Sequence, residues 1–268
     1  MPSVDHPDGH SLYYRKTGNG GPVVLWFHGF GQHHQAFDKI LKPREENYTH
    51  YTFDLFFHGN SSRAGAEPIE KKDWQELFQL FLNETGIQHF NIVAFSIGCR
   101  FALATVHSFA DRVQNLVMIA PDGIQSRFWY ALATYLYLSR KLFWLIVTRP
   151  ALWNRLLSVL EATHLIDRKL LRFAQRQMDS QSKRERVYNS WVQFRHLKSS
   201  AAQLTRLVNS NPLRIILIAG TRDKIVPAKL VKRLTKQIPQ VRFYELNANH
   251  NELISMSGDH VFEVLNNQ

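Results

Sequence analysis

Four short stretches of the chain carry residue types able to perform nucleophilic chemistry. Ala94-Phe95-Ser96-Ile97-Gly98 sets a serine between a run of strand character and a run of helix character, with a small residue two places to either side. A sharp strand-to-helix turn needs such small neighbours. It would present the Ser96 hydroxyl at a helix N-terminus, where backbone N–H groups favour developing negative charge. A serine hydroxyl is a poor nucleophile at neutral pH and needs a base within hydrogen-bond reach. His250, in Asn247-Ala248-Asn249-His250-Asn251-Glu252, is the candidate base. Asp223, in Gly220-Thr221-Arg222-Asp223-Lys224-Ile225-Val226-Pro227, is the candidate acid that would orient the imidazole. Asp122, in Ala120-Pro121-Asp122-Gly123, competes for that role. In His28-Gly29-Phe30-Gly31 the glycines let backbone approach a ligand closely, so the Phe30 and Ile97 N–H groups are the expected oxyanion pair.

These stretches are informative because of what precedes them. Val23–Phe27, His89–Phe95, Val113–Ile119 and Leu213–Ala219 are short, nearly continuous apolar runs, the pattern of strands buried on both faces. Leu12–Lys16, Tyr48–Phe53 and Val241–Leu246 read as further strands. Residues 33–42, Lys71–Asn83, Ile97–Phe109, Pro227–Gln237 and Glu252–Leu265 read as helices between them. Strands alternating with helices predict a mostly parallel sheet covered on both faces, and such sheets bind ligands beyond the carboxyl ends of their strands. Each candidate residue falls at such an end. From Gly123 to about Asn209 the alternation stops, and four or so helices are expected. The predicted organisation is therefore a core of residues 1–122 and 210–268 and an all-helical insertion of residues 123–209.

The chain has 268 residues and a net charge of +11 from 33 Lys/Arg and 22 Asp/Glu. The excess is local: residues 123–212 hold 15 bases and four acids, and the remainder holds 18 of each. That concentration leaves two readings open, a solvated helix face or a basic rim that meets anionic substrates or the surface of an anionic membrane. No recognised nucleic-acid motif accompanies the charge, so no nucleic-acid partner is expected. Phe128–Leu138 and Leu142–Val147 are intensely apolar, but Arg140-Lys141 interrupts them short of the ~20 residues a membrane span needs. Cys99 is the single cysteine, which excludes an intrachain disulfide; it is expected to be a small buried side chain. The start, MPSVDHPDGH, has no basic or apolar signal pattern, and a cytoplasmic location is expected. His33 and His34 are adjacent, face apart and have no Cys, Asp or Glu at ligand spacing, so they are read as loop polarity and no metal is expected.

Taken together, HGFG at 28–31, Asp54-Leu55-Phe56-Phe57-His58-Gly59-Asn60-Ser61, the serine turn at 94–98, the G-x-x-D-x-x-x-P run at 220–227 and the late histidine resemble the α/β-hydrolase superfamily, in its cap-bearing branch. The resemblance covers residues 10–265 and includes the chain order Ser96, Asp223, His250. It departs from the family at Ala94 and Phe57, where glycine is usual. The resemblance implies the α/β-hydrolase fold with a helical cap and favours Asp223 over Asp122. Asp54 and His58 are expected to brace loops, and His28 to hydrogen-bond behind the oxyanion loop. The implied activity is hydrolysis of a carboxylic ester of hydrophobic small or medium acyl chain through an acyl-serine, without a cofactor. Phe30, Phe95, Phe128 and Trp129 are expected to contact a small-molecule acyl substrate. Thioester or C–C bond hydrolysis, acyl transfer to another acceptor, and a weakly catalytic ligand receptor are the alternatives.

Overall fold

The computed structural model describes residues 2–124, 128–163, 168–238 and 240–266, with backbone only at 128, 129, 168–170 and 173. Eight strands form one sheet: β1 (Ser3–Asp5), β2 (Ser11–Thr17), β3 (Val23–Phe27), β4 (Thr49–Phe53), β5 (Phe90–Phe95), β6 (Val113–Ile119), β7 (Arg214–Gly220) and β8 (Arg242–Leu246). Their order is β1-β2-β4-β3-β5-β6-β7-β8. The β1–β2 and β2–β4 pairs are antiparallel and the others parallel. Strand β1 has no counterpart in the sequence pattern, since three residues are too few to show alternation. The helices are α1 (Asp38–Leu41), α2 (Lys71–Thr85), α3 (Gly98–Phe109), α4 (Phe128–Tyr135), α5 (Tyr137–Thr148), α6 (Pro150–Thr163), α7 (Arg168–Gln177), α8 (Gln181–Gln193), α9 (Ala201–Ser210), α10 (Ala228–Thr235) and α11 (Leu253–Asn266).

Two expectations about helices are corrected. Residues 33–42 do not form one helix: a 3₁₀ turn (His34–Phe37), the single turn α1 and a second 3₁₀ turn (Lys42–Arg44) share the segment. The break falls at Phe37, whose φ of −102° and ψ of 0° leave the helical range, and Pro43 lies beyond it at the start of the second 3₁₀ turn, where its missing N–H is tolerated. Among the described residues, the stretch between β6 and β7 holds six helices rather than the four or so expected. Leu136 is extended and splits α4 from α5, and Arg149 is extended because Pro150 follows it. Among the described residues this stretch contains no strand.

The chain divides into two compact units. The first comprises Met1–Ala64, Glu70–Gln125 and Leu197–Gln268, and so includes α9; the second comprises Gly65–Ile69 and Ser126–His196. In the first, Val24, Trp26, Val93, Val117, Ile216 and Ile218 pack with Leu253, Val261, Phe262 and Leu265 of α11. Elsewhere in the same unit Phe27 stacks on Phe53 at 5.0 Å and meets Trp74 of α2 at 6.0 Å, and Trp74 meets Phe101 of α3 at 4.9 Å. Helix α2 starts with a reciprocal Glu70/Asp73 cap and stops at Gly86, whose φ of 68° suits glycine. In the second unit Phe143 and Trp144 of α5 pack on Tyr188 of α8 at 5.2 and 4.9 Å. Arg184, 4% exposed, donates to Val147 O (2.8 Å) and Met178 O (3.3 Å), satisfying carbonyls left open near helix C-termini.

Candidate active site

Strand β5 is buried along its whole length and ends where Ser96 takes φ +52°, a left-handed conformation that costs a non-glycine residue energy. The Ser96 N–H donates to Ile119 O at the end of β6 (2.9 Å), and the Cys99 N–H to Ser96 O (3.0 Å). Ile97 is the N-cap of α3. Gly98 is obligatory, because a Cβ there would stand 2.4 Å from Phe27 O and 2.5 Å from His28 O. The first turn of α3 thus sits against the end of β3. Ala94, where a glycine is usual, is fully buried in β5 between Phe27 and Met118 on the flanking strands.

Asp223 follows β7 and is 4% exposed. Its Oδ1 accepts from the N–H groups of Ile225 and Val226, each at 2.8 Å, which fixes the carboxylate and aims Oδ2 at His250. His250 follows β8. Its Nδ1 donates to Asp223 Oδ2 at 2.6 Å, so Nε2 is left to accept from the Ser96 hydroxyl at 3.2 Å. The Phe95 ring lies against the imidazole, centroids 4.8 Å apart. Ser96, Asp223 and His250 are 154 and 27 residues apart along the chain and meet at the carboxyl ends of three parallel strands. Asp122 is occupied otherwise: Arg100 Nε and Nη2 hold its two oxygens at 2.7 and 3.2 Å.

The loop after β3 is held from beneath. His28 Nδ1 donates to Gly29 O (2.7 Å) and its Nε2 accepts from the Leu55 N–H (3.0 Å). Full burial pushes its pKa well below the usual histidine range, so the ring is neutral. A Cβ on Gly29 would lie 2.6 Å from the Phe95 ring, so backbone and ring touch there. Phe30 is half-buried, its ring perpendicular to His58 at 5.3 Å. The other two residues expected at the acyl group, Phe128 and Trp129, open α4, and their side chains lie outside the described residues.

Three features were not legible in the sequence. Arg222 bridges the Asp223 and His250 loops: its Nε donates to Asn247 Oδ1 (3.0 Å) and its Nη2 to Asn247 O (2.9 Å) and Glu252 Oε2 (2.8 Å). Glu252 Oε2 also accepts from the Asn249 N–H at 2.9 Å, next to His250. The adjacency of Arg222 to Asp223 and of Glu252 to the histidine loop was the available signal. The reading of His33 and His34 as mere loop polarity is corrected. Asp54, at the end of β4, brings a carboxylate to them, and ligand atoms of the three residues lie within 4.8 Å of one another. That carboxylate already accepts from the His34 N–H (2.6 Å), the Asn60 N–H (2.8 Å) and the His34 ring (3.0 Å), which makes it a staple between two loops. Finally, Phe57 occupies its departure position at φ +67°, the reason glycine is usual there.

The sequence signature of a protein family described as alpha/beta hydrolase fold matches residues 22–254. The chain is 30% identical over 118 residues to the dihydrolipoyllysine-residue acetyltransferase component of an acetoin cleaving system from Cupriavidus necator, a match covering 43% of this chain and 31% of that protein. The chain therefore spans less than two thirds of that relative's length. It is 22% identical over 247 residues to the uncharacterized hydrolase YugF of Bacillus subtilis, covering 89% of this chain and 87% of that one. Among solved structures, a thermophilic esterase from Thermogutta terrifontis superposes with a TM-score of 0.72 at 16% identity, covering 98% and 96% of the two chains. With the signature spanning most of the chain, the eight-stranded sheet in this order and the chain order of strands and helices, the chain belongs to the alpha/beta hydrolase fold family.

Proposed function

We propose that the chain is a serine hydrolase that cleaves a carboxylic ester, or a related acyl bond, of a hydrophobic small or medium acyl substrate. The observation that carries this reading is the relay of 2.6 Å from Asp223 to His250 and 3.2 Å from His250 to Ser96. In this reading His250 Nε2 takes the Ser96 proton as Oγ attacks the acyl carbon, and returns it to the leaving group. Asp223 holds the Nδ1–H tautomer and stabilises the imidazolium that forms. The carbonyl oxygen, negative in the tetrahedral intermediate, is received by the Phe30 N–H on the loop after β3 and the Ile97 N–H at the N-terminus of α3. Water then attacks the acyl-serine with His250 again as base, releasing the acid and restoring Ser96. The esterase and hydrolase among the similar proteins support a hydrolase and leave the substrate open.

The test is covalent. A fluorophosphonate probe adds its phosphonyl mass to Ser96 in the wild type and to nothing in Ser96→Ala. A panel of p-nitrophenyl esters from acetate to palmitate then places the acyl preference. A folded wild type that stays unlabelled and cleaves none of the esters overturns the enzyme reading and favours a ligand receptor on the same fold. Labelling without net hydrolysis, but with product on added alcohols or amines, converts the reading to acyl transfer.

A further inference from the structure

The second unit carries an apolar surface that the proposed chemistry does not use and that its own packing leaves largely in water, Trp144 alone of its rings also touching Tyr188. Helix α5 turns Phe143 and Val147 inward, Val147 fully buried. Its other side presents Leu138 (78% exposed), Leu142 (57%) and Leu145, at i, i+4 and i+7. Tyr137 and Trp144 flank the row, exposed as well, and Leu136 precedes it. Leaving this many large apolar side chains in water on one short helix marks an interaction surface.

The surrounding charge says which partner fits. Lys141 is exposed beside the leucine row with its ammonium 4.5 Å from the Tyr137 ring, and exposed Arg149 continues the row at the helix C-cap. Exposed Arg155 follows on α6. The second unit holds 13 Lys/Arg against five Asp/Glu. A leucine stripe, amphipathic aromatics at its margin and bases beside it are the chemistry of a helix lying in the headgroup layer of an anionic bilayer. Among the described residues no helix is long and apolar enough to cross a membrane. At about 1.5 Å per residue, α5 has about 18 Å of length to lie flat.

We propose that the outer face of α5 docks on an anionic lipid surface, with Leu138, Leu142 and Leu145 immersed, Tyr137 and Trp144 at the headgroup level and Lys141 and Arg149 paired with lipid phosphates. The proposal is independent of the chemistry at Ser96. Co-sedimentation with vesicles of pure phosphatidylcholine and of phosphatidylcholine with phosphatidylglycerol tests it, alongside light scattering for oligomeric state. The wild type binds the anionic vesicles and loses at least about tenfold in affinity at about 0.5 M salt, where the Debye length falls below about 5 Å. Leu138→Ser/Leu142→Ser/Leu145→Ser loses at least about tenfold, because each leucine contributes more than 1.4 kcal/mol when buried. Lys141→Glu/Arg149→Glu loses binding to the anionic vesicles only. Circular dichroism spectra and cooperative melts show both variants folded, the triple-serine variant melting slightly lower because Leu145 is only 39% exposed and serine is a poorer helix former. The proposal is overturned if the wild type ignores anionic vesicles at low salt, binds neutral and anionic vesicles equally, or binds as well with three serines. It is also overturned if the wild type is a dimer that the serine variant dissolves while no vesicle is bound, which would assign the face to a second copy.

Discussion

At the scale of single residues, two carboxylates that look equivalent in the sequence separate cleanly. Asp223 spends one oxygen on two backbone N–H groups and the other on His250, whereas Asp122 is gripped by both arms of Arg100. Asp223→Asn is expected to lower kcat by about 10⁴-fold on the preferred ester, because an amide no longer enforces the Nδ1–H tautomer. Asp122→Asn is expected to leave kcat near the wild type and to cost about 1–3 kcal/mol of stability, the penalty of weakening a charged pair around the buried Arg100. Steady-state kinetics and urea titration of both variants separate the two effects. His50 makes a second residue-level prediction. It is fully buried, accepts from Trp26 Nε1 at 3.2 Å, and burial pushes its pKa down to about 4. The unfolded chain binds a proton there at about pH 6.5, so stability is complete above that value and falls as pH drops toward 4, by about 3 kcal/mol. The urea midpoint of the wild type should decline over that window, and His50→Gln should decline less. The serine, histidine and both aspartates could be picked out from sequence because each follows a strand-like run. Their partners could not. Arg100 and Asp122 are 22 residues apart, and His34 and Asp54 are 20 apart, and only the folded chain joins them.

At the scale of elements, the strands were legible to within a residue at most ends, because a central parallel strand is apolar on both faces and needs no partner to be recognised. The helices of the insertion were not. Two of their boundaries depend on single extended residues, Leu136 and Arg149, rather than on periodicity. What joins the elements around the site is the Arg222 clamp between the turn after β7 and the turn after β8. We expect Arg222→Ala to lower kcat while leaving KM little changed, because the loops then hold His250 less firmly against Ser96. Misplacing a catalytic group by about 1 Å can cost about 10²-fold. A merely structural role would lower the melting temperature without moving the kcat pH profile. A positioning role shifts that profile, and Arg222→Lys recovers only part of the loss, since an ammonium cannot reproduce the fork.

At the scale of the whole molecule, most of the charge excess, +8 of +11, together with the exposed leucines of α5 and the aromatic packing of α5 on α8, belongs to the second unit. The residues that align Ser96 all belong to the first: β3, β5, β7, β8, Phe95, Arg222 and Glu252. A small organophosphate should therefore inactivate the wild type and the α5 triple-serine variant at the same rate, as residual activity against time would record. The tight seat of α3 on the end of β3, enforced at Gly98, has a further consequence. The start of α3, whose Ile97 amide we propose receives an oxyanion, is seated by main chain against main chain, so exchanges among the surrounding side chains act on the walls of the site rather than on that seat. Gly98→Ala would force that seat open, and a proportionate loss of fluorophosphonate labelling at Ser96 would register the displacement directly.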